Sequence, residues 1–124
     1  IVVSHPLCAF SRNAQRDLAE DSGFAWELSS KTIWLAPVSG RLNLESIRQW
    51  NRERPGSQIL LASERTSWPV IENWATPQFY AVRDGVVIGA LSGWPKEGRK
   101  VELAAMLREL EAAGKDDAGD DAIE

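Results

Sequence analysis

Thr76-Pro77-Gln78-Phe79-Tyr80-Ala81-Val82-Arg83-Asp84-Gly85-Val86-Val87-Ile88-Gly89-Ala90-Leu91 is the stretch that decides how this chain folds. Two β-rich runs, Gln78 to Arg83 and Val86 to Leu91, are separated by Asp84-Gly85 alone. Both turn residues tolerate the positive φ of a type I′ turn, so the stretch reads as an antiparallel hairpin. Thr76-Pro77 stands immediately before the first strand, and Ser92-Gly93-Trp94-Pro95 ends the second.

Upstream, Ile1-Val2-Val3-Ser4 is a β-branched run suited to a buried parallel strand, and His5-Pro6 stops it because proline has no amide to donate. From Ser11 to Asp21, Ala14 and Leu18, joined by Phe10, recur at helical spacing, and Gly23 ends that helix's neighbourhood. Thr32 to Ala36 reads as a second buried strand, closed by Pro37 and a Ser39-Gly40 turn. Asn43 is a good N-cap for a helix over Leu44 to Glu53, with Leu44, Ile47 and Trp50 or Asn51 on one side, and Pro55-Gly56 breaks it. Ile59 to Ala62 is a strand or an extended link, and Trp68 to Trp74 an irregular turn or helix broken by Pro69. Beyond the hairpin, Val101, Leu103, Ala104, Met106, Leu107 and Leu110 form the stripe of a last helix that Gly114 is expected to close.

The order is therefore β-α-β-α, a connecting region, a hairpin and a final helix. Strands joined through helices run parallel and those of the hairpin antiparallel, so the fold class is α/β with a mixed central sheet flanked by helices.

The bulk numbers fit this reading. With 124 residues, 44% of them apolar and 26% charged, the chain suits one globular domain over residues 1–114. The net charge of −4 sits in the last ten residues, where Lys115 faces Asp116, Asp117, Asp120, Asp121 and Glu124; residues 1–114 carry 13 basic and 13 acidic side chains. A balanced body lacks the concentrated basic surface that phosphate backbones require, so no nucleic-acid partner is expected. The acidic tail, 115–124, is expected to be disordered. No run approaches the ~20 apolar residues of a membrane span and none resembles a signal peptide. The abrupt opening on Ile1-Val2-Val3 without a methionine suggests a processed protein or an excised domain.

Four features then coincide. Cys8-Ala9-Phe10-Ser11 lies between the first strand and first helix, Thr76-Pro77 before the hairpin, Asp84-Gly85 at its turn, and Gly93-Trp94 after its last strand. In this order and spacing the chain resembles the thioredoxin superfamily over nearly all of residues 1–114. That family carries a C-x-x-C or C-x-x-S motif at the first position, a cis-proline at the second and a glycine at the last. The layout is closest to extracytoplasmic thiol–disulfide oxidoreductases, which implies a periplasmic or other extracytoplasmic location, with the cytoplasm as the alternative. Departures are Leu7 where the family has an aromatic residue, Val2 where small thioredoxins have a buried acid, Ser11 for the second cysteine, and no counterpart of the family's first strand and helix ahead of Ile1.

The resemblance implies disulfide exchange through Cys8, the chain's single cysteine, with no cofactor. The thiolate is the nucleophile, and a free cysteine with a pKa of about 8.5 is mostly protonated at neutral pH. At a helix start, unpaired amides and the positive end of the helix dipole favour the thiolate, Ser11 is close enough to donate its hydroxyl, and His5 could add positive charge. One thiol carries exchange to a mixed disulfide, which an external thiol must resolve. The partners implied are protein disulfides or low-molecular-weight thiols, held along Thr76 and Pro77 by strand addition, with Trp68 and Trp94 offering an apolar rim. Two alternatives stand beside this. The chain is a redox-inactive binding module on the same fold, or it is a C-x-x-C protein whose resolving cysteine has been replaced by Ser11.

Taken singly, the same residues have plainer uses: a cysteine as a small core residue, His5 as a strand-end residue, Ser11 as a helix cap. Trp26, Trp34, Trp50 and Trp74 are expected in the core or packed on helices. One histidine and one cysteine without clustered carboxylates give no metal site, and there is no glycine-rich phosphate loop or nucleophile elbow.

Overall fold

The computed structural model describes residues 1–38 and 43–123, with side chains described through Gly114. The expected Ser39-Gly40 turn lies outside these described residues, and so do the side chains of the acidic tail, whose backbone is described as helix through Ile123. Five strands form one mixed sheet in the order β3-β2-β1-β4-β5. They are β1 (Val2–Val3), β2 (Trp34–Pro37), β3 (Ile59–Ala62), β4 (Gln78–Arg83) and β5 (Val86–Ser92). β1 pairs parallel to β2 and β2 parallel to β3, whereas β4 runs antiparallel to both β1 and β5. The hairpin turn is as its sequence requires, with Asp84 at φ 52° and Gly85 at φ 79°.

Among the described residues four helices accompany the sheet: α1 (Ala9–Ala19), α2 (Ala25–Ser30), α3 (Leu44–Glu53) and α4 (Lys100–Ile123). α1 begins two residues before the expected Ser11, and α2 was not anticipated, because six residues with one buried apolar side chain, Leu28, carry almost no periodic signal. Asn43 caps α3 as expected, its Oδ1 accepting the Ser46 N–H at 2.7 Å. Gly114 does not close α4. Instead, the Arg83 guanidinium lies where a side chain would stand, Nη1 being 3.1 Å from an ideal Cβ, so the glycine marks a close approach within a continuing helix.

Alternation along the strands builds two clusters. Val2, Trp34, Ala36, Phe79 and Ala81 face one way, and onto them pack Ala14 and Leu18 of α1, Leu28 of α2, Ile47 and Trp50 of α3, and Leu103 and Met106 of α4. Val3, Leu35 and Tyr80 face the other way, covered by Ile71 and the half-buried Trp68, Val70 and Trp74. The flanking helices thus pack on a single face. The crossovers step in one direction, β1 to β2 to β3, and two right-handed crossovers in one direction put their helices on the same side. The chain must then return from the β3 edge to β4, and residues 63–77 do so across the second face, with a 3-10 turn at Arg65–Ser67.

Two local devices finish the sheet. Gly89 lets α4 lie on β5, since an added Cβ would meet Met106 Cγ at 2.7 Å. Asn51 of α3 occupies the β3 edge, its Oδ1 accepting the Ile59 N–H at 2.7 Å and its Nδ2 donating to the Ile59 carbonyl at 3.4 Å, which blunts an edge that could otherwise recruit another strand. Of the tryptophans expected inside, Trp34 and Trp50 are buried and Trp74 is half buried, but Trp26 is 60% exposed, with the Lys31 ammonium 4.7 Å from its ring centroid. Its helix is too short to bury both Leu28 and Trp26, which project to different sides. No helix is long and apolar enough among the described residues to cross a membrane.

Candidate functional site

The site forms where β1 runs out. Ser4 still bonds the neighbouring strand through Leu35 O, and His5-Pro6 then turns the chain. His5 makes that turn with two acceptors: its Nδ1 takes the Leu7 N–H at 3.1 Å and its carbonyl takes the Cys8 N–H at 3.0 Å. Cys8 is left as the extended N-cap residue of α1, and its carbonyl accepts the Arg12 N–H at 3.1 Å. No acidic residue occupies the helix's first turn, so nothing there offsets the positive end of the dipole.

Across from Cys8 stands the start of β4. The Thr76-Pro77 peptide is cis, Pro77 is buried, and its carbonyl accepts the Gly93 N–H at 2.8 Å, which ties the end of β5 to this loop. The half-buried Cys8 Sγ lies 3.6 Å from the Thr76 carbonyl oxygen. Two residues 68 positions apart therefore meet, as the sequence led one to expect. Burial pushes the Cys8 thiol up, but hydrogen bonds to sulfur from the Thr76 hydroxyl, the Ser11 amide and hydroxyl and the Phe10 amide outweigh it, and the thiol lies below its ordinary value.

Ser11 is wholly buried and its Oγ accepts the His5 N–H at 3.3 Å. With that lone pair engaged, its own proton is available to the sulfur. His5 is brought to the site as the residue that shapes the approach to Cys8. Its Nδ1, accepting from the Leu7 N–H, serves there as a hydrogen-bond acceptor. Arg12 reaches the Pro6 carbonyl at 3.2 Å and steadies the same turn.

Trp94 does not form the rim. Trp94 is 2% exposed, packs on Phe79 with centroids 5.7 Å apart, and donates its indole N–H to Asp17 Oδ2 at 2.9 Å, all inside the helix-covered core. Its aromatic surface has more to gain there than beside a loop. Trp68 is half buried against the second cluster, where it holds the 63–77 segment to the sheet. The apolar side chains that do bracket Cys8 in the open are Leu7 and Phe10, 54% and 57% exposed. Phe10 reads as part of the core stripe because it lies four residues before Ala14, but the buried stripe is Ser11, Ala14, Gln15 and Leu18. Knowing that Ser11 is inside would have placed Phe10 outside.

Among the described residues no group of three metal-ligating side chains gathers. Compared with protein-family models, curated proteins and solved structures, the chain matches none.

Proposed function

We propose that this chain is a thioredoxin-like protein that performs thiol–disulfide exchange through Cys8 alone. The observation that carries the proposal is the placing of a half-exposed sulfur at the start of α1 and beside Thr76, where the hydroxyls of Thr76 and Ser11 and the amides of Phe10 and Ser11 favour the thiolate. The central position of β1, the proline entering β4 and the hairpin followed by α4 support the thioredoxin-like assignment.

In the reaction, the Cys8 thiolate attacks one sulfur of a disulfide. A new S–S bond forms as the old one breaks, and the leaving thiolate takes a proton from solvent. Ser11 cannot attack the resulting mixed disulfide, so external thiols must resolve it: one attacks the Cys8 sulfur, expelling the substrate as its thiol and leaving a new mixed disulfide on Cys8, and a second attacks that adduct, restoring Cys8 while the two external thiols leave joined as a disulfide. The exposed Leu7 and Phe10 would bear on apolar groups flanking the target disulfide.

Mixing the protein with an excess of a chromogenic aromatic disulfide is expected to release one equivalent of thiol and then halt at a stable one-to-one adduct, which added glutathione discharges. Ser11→Cys places a second thiol at the third residue of the first turn, facing the N-cap side chain, and should release a second equivalent as an internal disulfide forms. Failure of the native chain to form an adduct would remove the proposal.

A further inference from the structure

We infer that Tyr80 and Asn73 are positioning residues that set the reactivity of Cys8 by fixing Thr76 against its sulfur, an inference that rests on the exchange reading above. Tyr80 lies on the sheet face opposite α1, its ring buried with Val3, Leu35 and Ile71. Phenylalanine would fill that space equally well. What tyrosine adds is a hydroxyl that accepts the Asn73 N–H at 2.9 Å and donates to the Asn73 carbonyl at 3.0 Å, so one side chain holds both backbone groups of a single residue. Asn73 passes the constraint along the chain, its Oδ1 accepting the Ala75 N–H at 2.9 Å in an Asx turn.

Thr76 is the next residue, and both its carbonyl and its hydroxyl bear on Cys8. Between the buried Ile71 and Pro77 the chain has no strand pairing, and Trp74 is only half buried. The Tyr80 and Asn73 bonds are therefore what sets the course of the backbone into Thr76. The thiol donates to the Thr76 carbonyl at 3.6 Å, which favours the protonated form, whereas the Thr76 hydroxyl bonds the sulfur and is the largest of the bonds that lower the thiol, so a displacement of the loop that loosens the hydroxyl leaves Cys8 less acidic. The titratable and charged side chains flanking Cys8 in the chain, His5 and Arg12, are turned to the Leu7 amide and the Pro6 carbonyl, and neither depends on the Tyr80 bonds.

The test is the pH dependence of iodoacetamide alkylation of Cys8 in the full chain, native and variant side by side. Tyr80→Phe keeps the packing and removes the hydroxyl. Its midpoint is expected to move to higher pH, with the rate at neutral pH falling roughly threefold while the alkaline plateau is kept, since a more basic thiolate is fewer in number but more nucleophilic. Asn73→Ala, at an exposed position, should act in the same direction and carries the test if Tyr80→Phe does not fold; Asn73→Ser, which restores an uncharged acceptor for Ala75, should recover most of the native profile. Profiles of Tyr80→Phe and Asn73→Ala that superimpose on a low native one would overturn the positioning role and leave the exchange reading intact. A native midpoint like that of an ordinary cysteine would overturn the exchange reading itself.

Discussion

Exchange with a model disulfide falls to the uncatalysed background when Cys8 is replaced by serine, and the fold survives the change. A hydroxyl is no nucleophile toward sulfur at neutral pH, and no other thiol exists in the chain to replace it. The cost in stability is within about 1 kcal/mol, because the side chain is half exposed and leaves no cavity. The variant also separates catalysis from pH-dependent stability. A thiol with a lowered native value gives stability that is fully present above the unfolded chain's value and is lost as pH falls through the native one. That alkaline increment should vanish in Cys8→Ser, which parallel denaturant titrations on either side of the thiol range would show.

Trp50→Ala is expected to be the most destabilising single change in the helical layer, at about 3–5 kcal/mol, a large part of the ~5–15 kcal/mol that holds a typical domain together. The indole is 1% exposed, lies 6.0 Å from the Trp34 ring, donates to the Ser57 carbonyl at 2.8 Å, and carries the Arg54 guanidinium 4.3 Å from its centroid. Truncation empties that space and strands a buried carbonyl, and two costs of this kind add. Trp26→Ala is the natural control: its ring is on the surface, and the change should fall within about 0.5 kcal/mol. Urea midpoints of the two variants, compared at constant slope, measure the difference.

How much could be read beforehand depends on how far the information for each feature is spread along the chain. The Asp84-Gly85 hairpin and the Asn43-capped helix are written in a few adjacent residues, and both stand where expected. The meeting of Cys8 with Thr76 was expected from the family resemblance and not from the order of elements, and its physical basis is the pairing of β1 and β4 as antiparallel neighbours, which puts a strand-to-helix junction and a strand start at one end of the sheet. The helices' placement on one face did not follow from order alone. It depends on β3 joining β2 on the far side from β1, which the short Ile59 to Ala62 run leaves open. Side-chain facing near turns was the least legible: Trp94 and Phe10 exchange their expected places because one residue's rotation decides between core and rim.

The account turns on whether folding makes Cys8 more acidic. The direct measurement compares the pH midpoint for its alkylation in the native protein with that in the same chain unfolded by denaturant. The account predicts the native midpoint at the lower pH; a native midpoint equal to or above the unfolded one would contradict it.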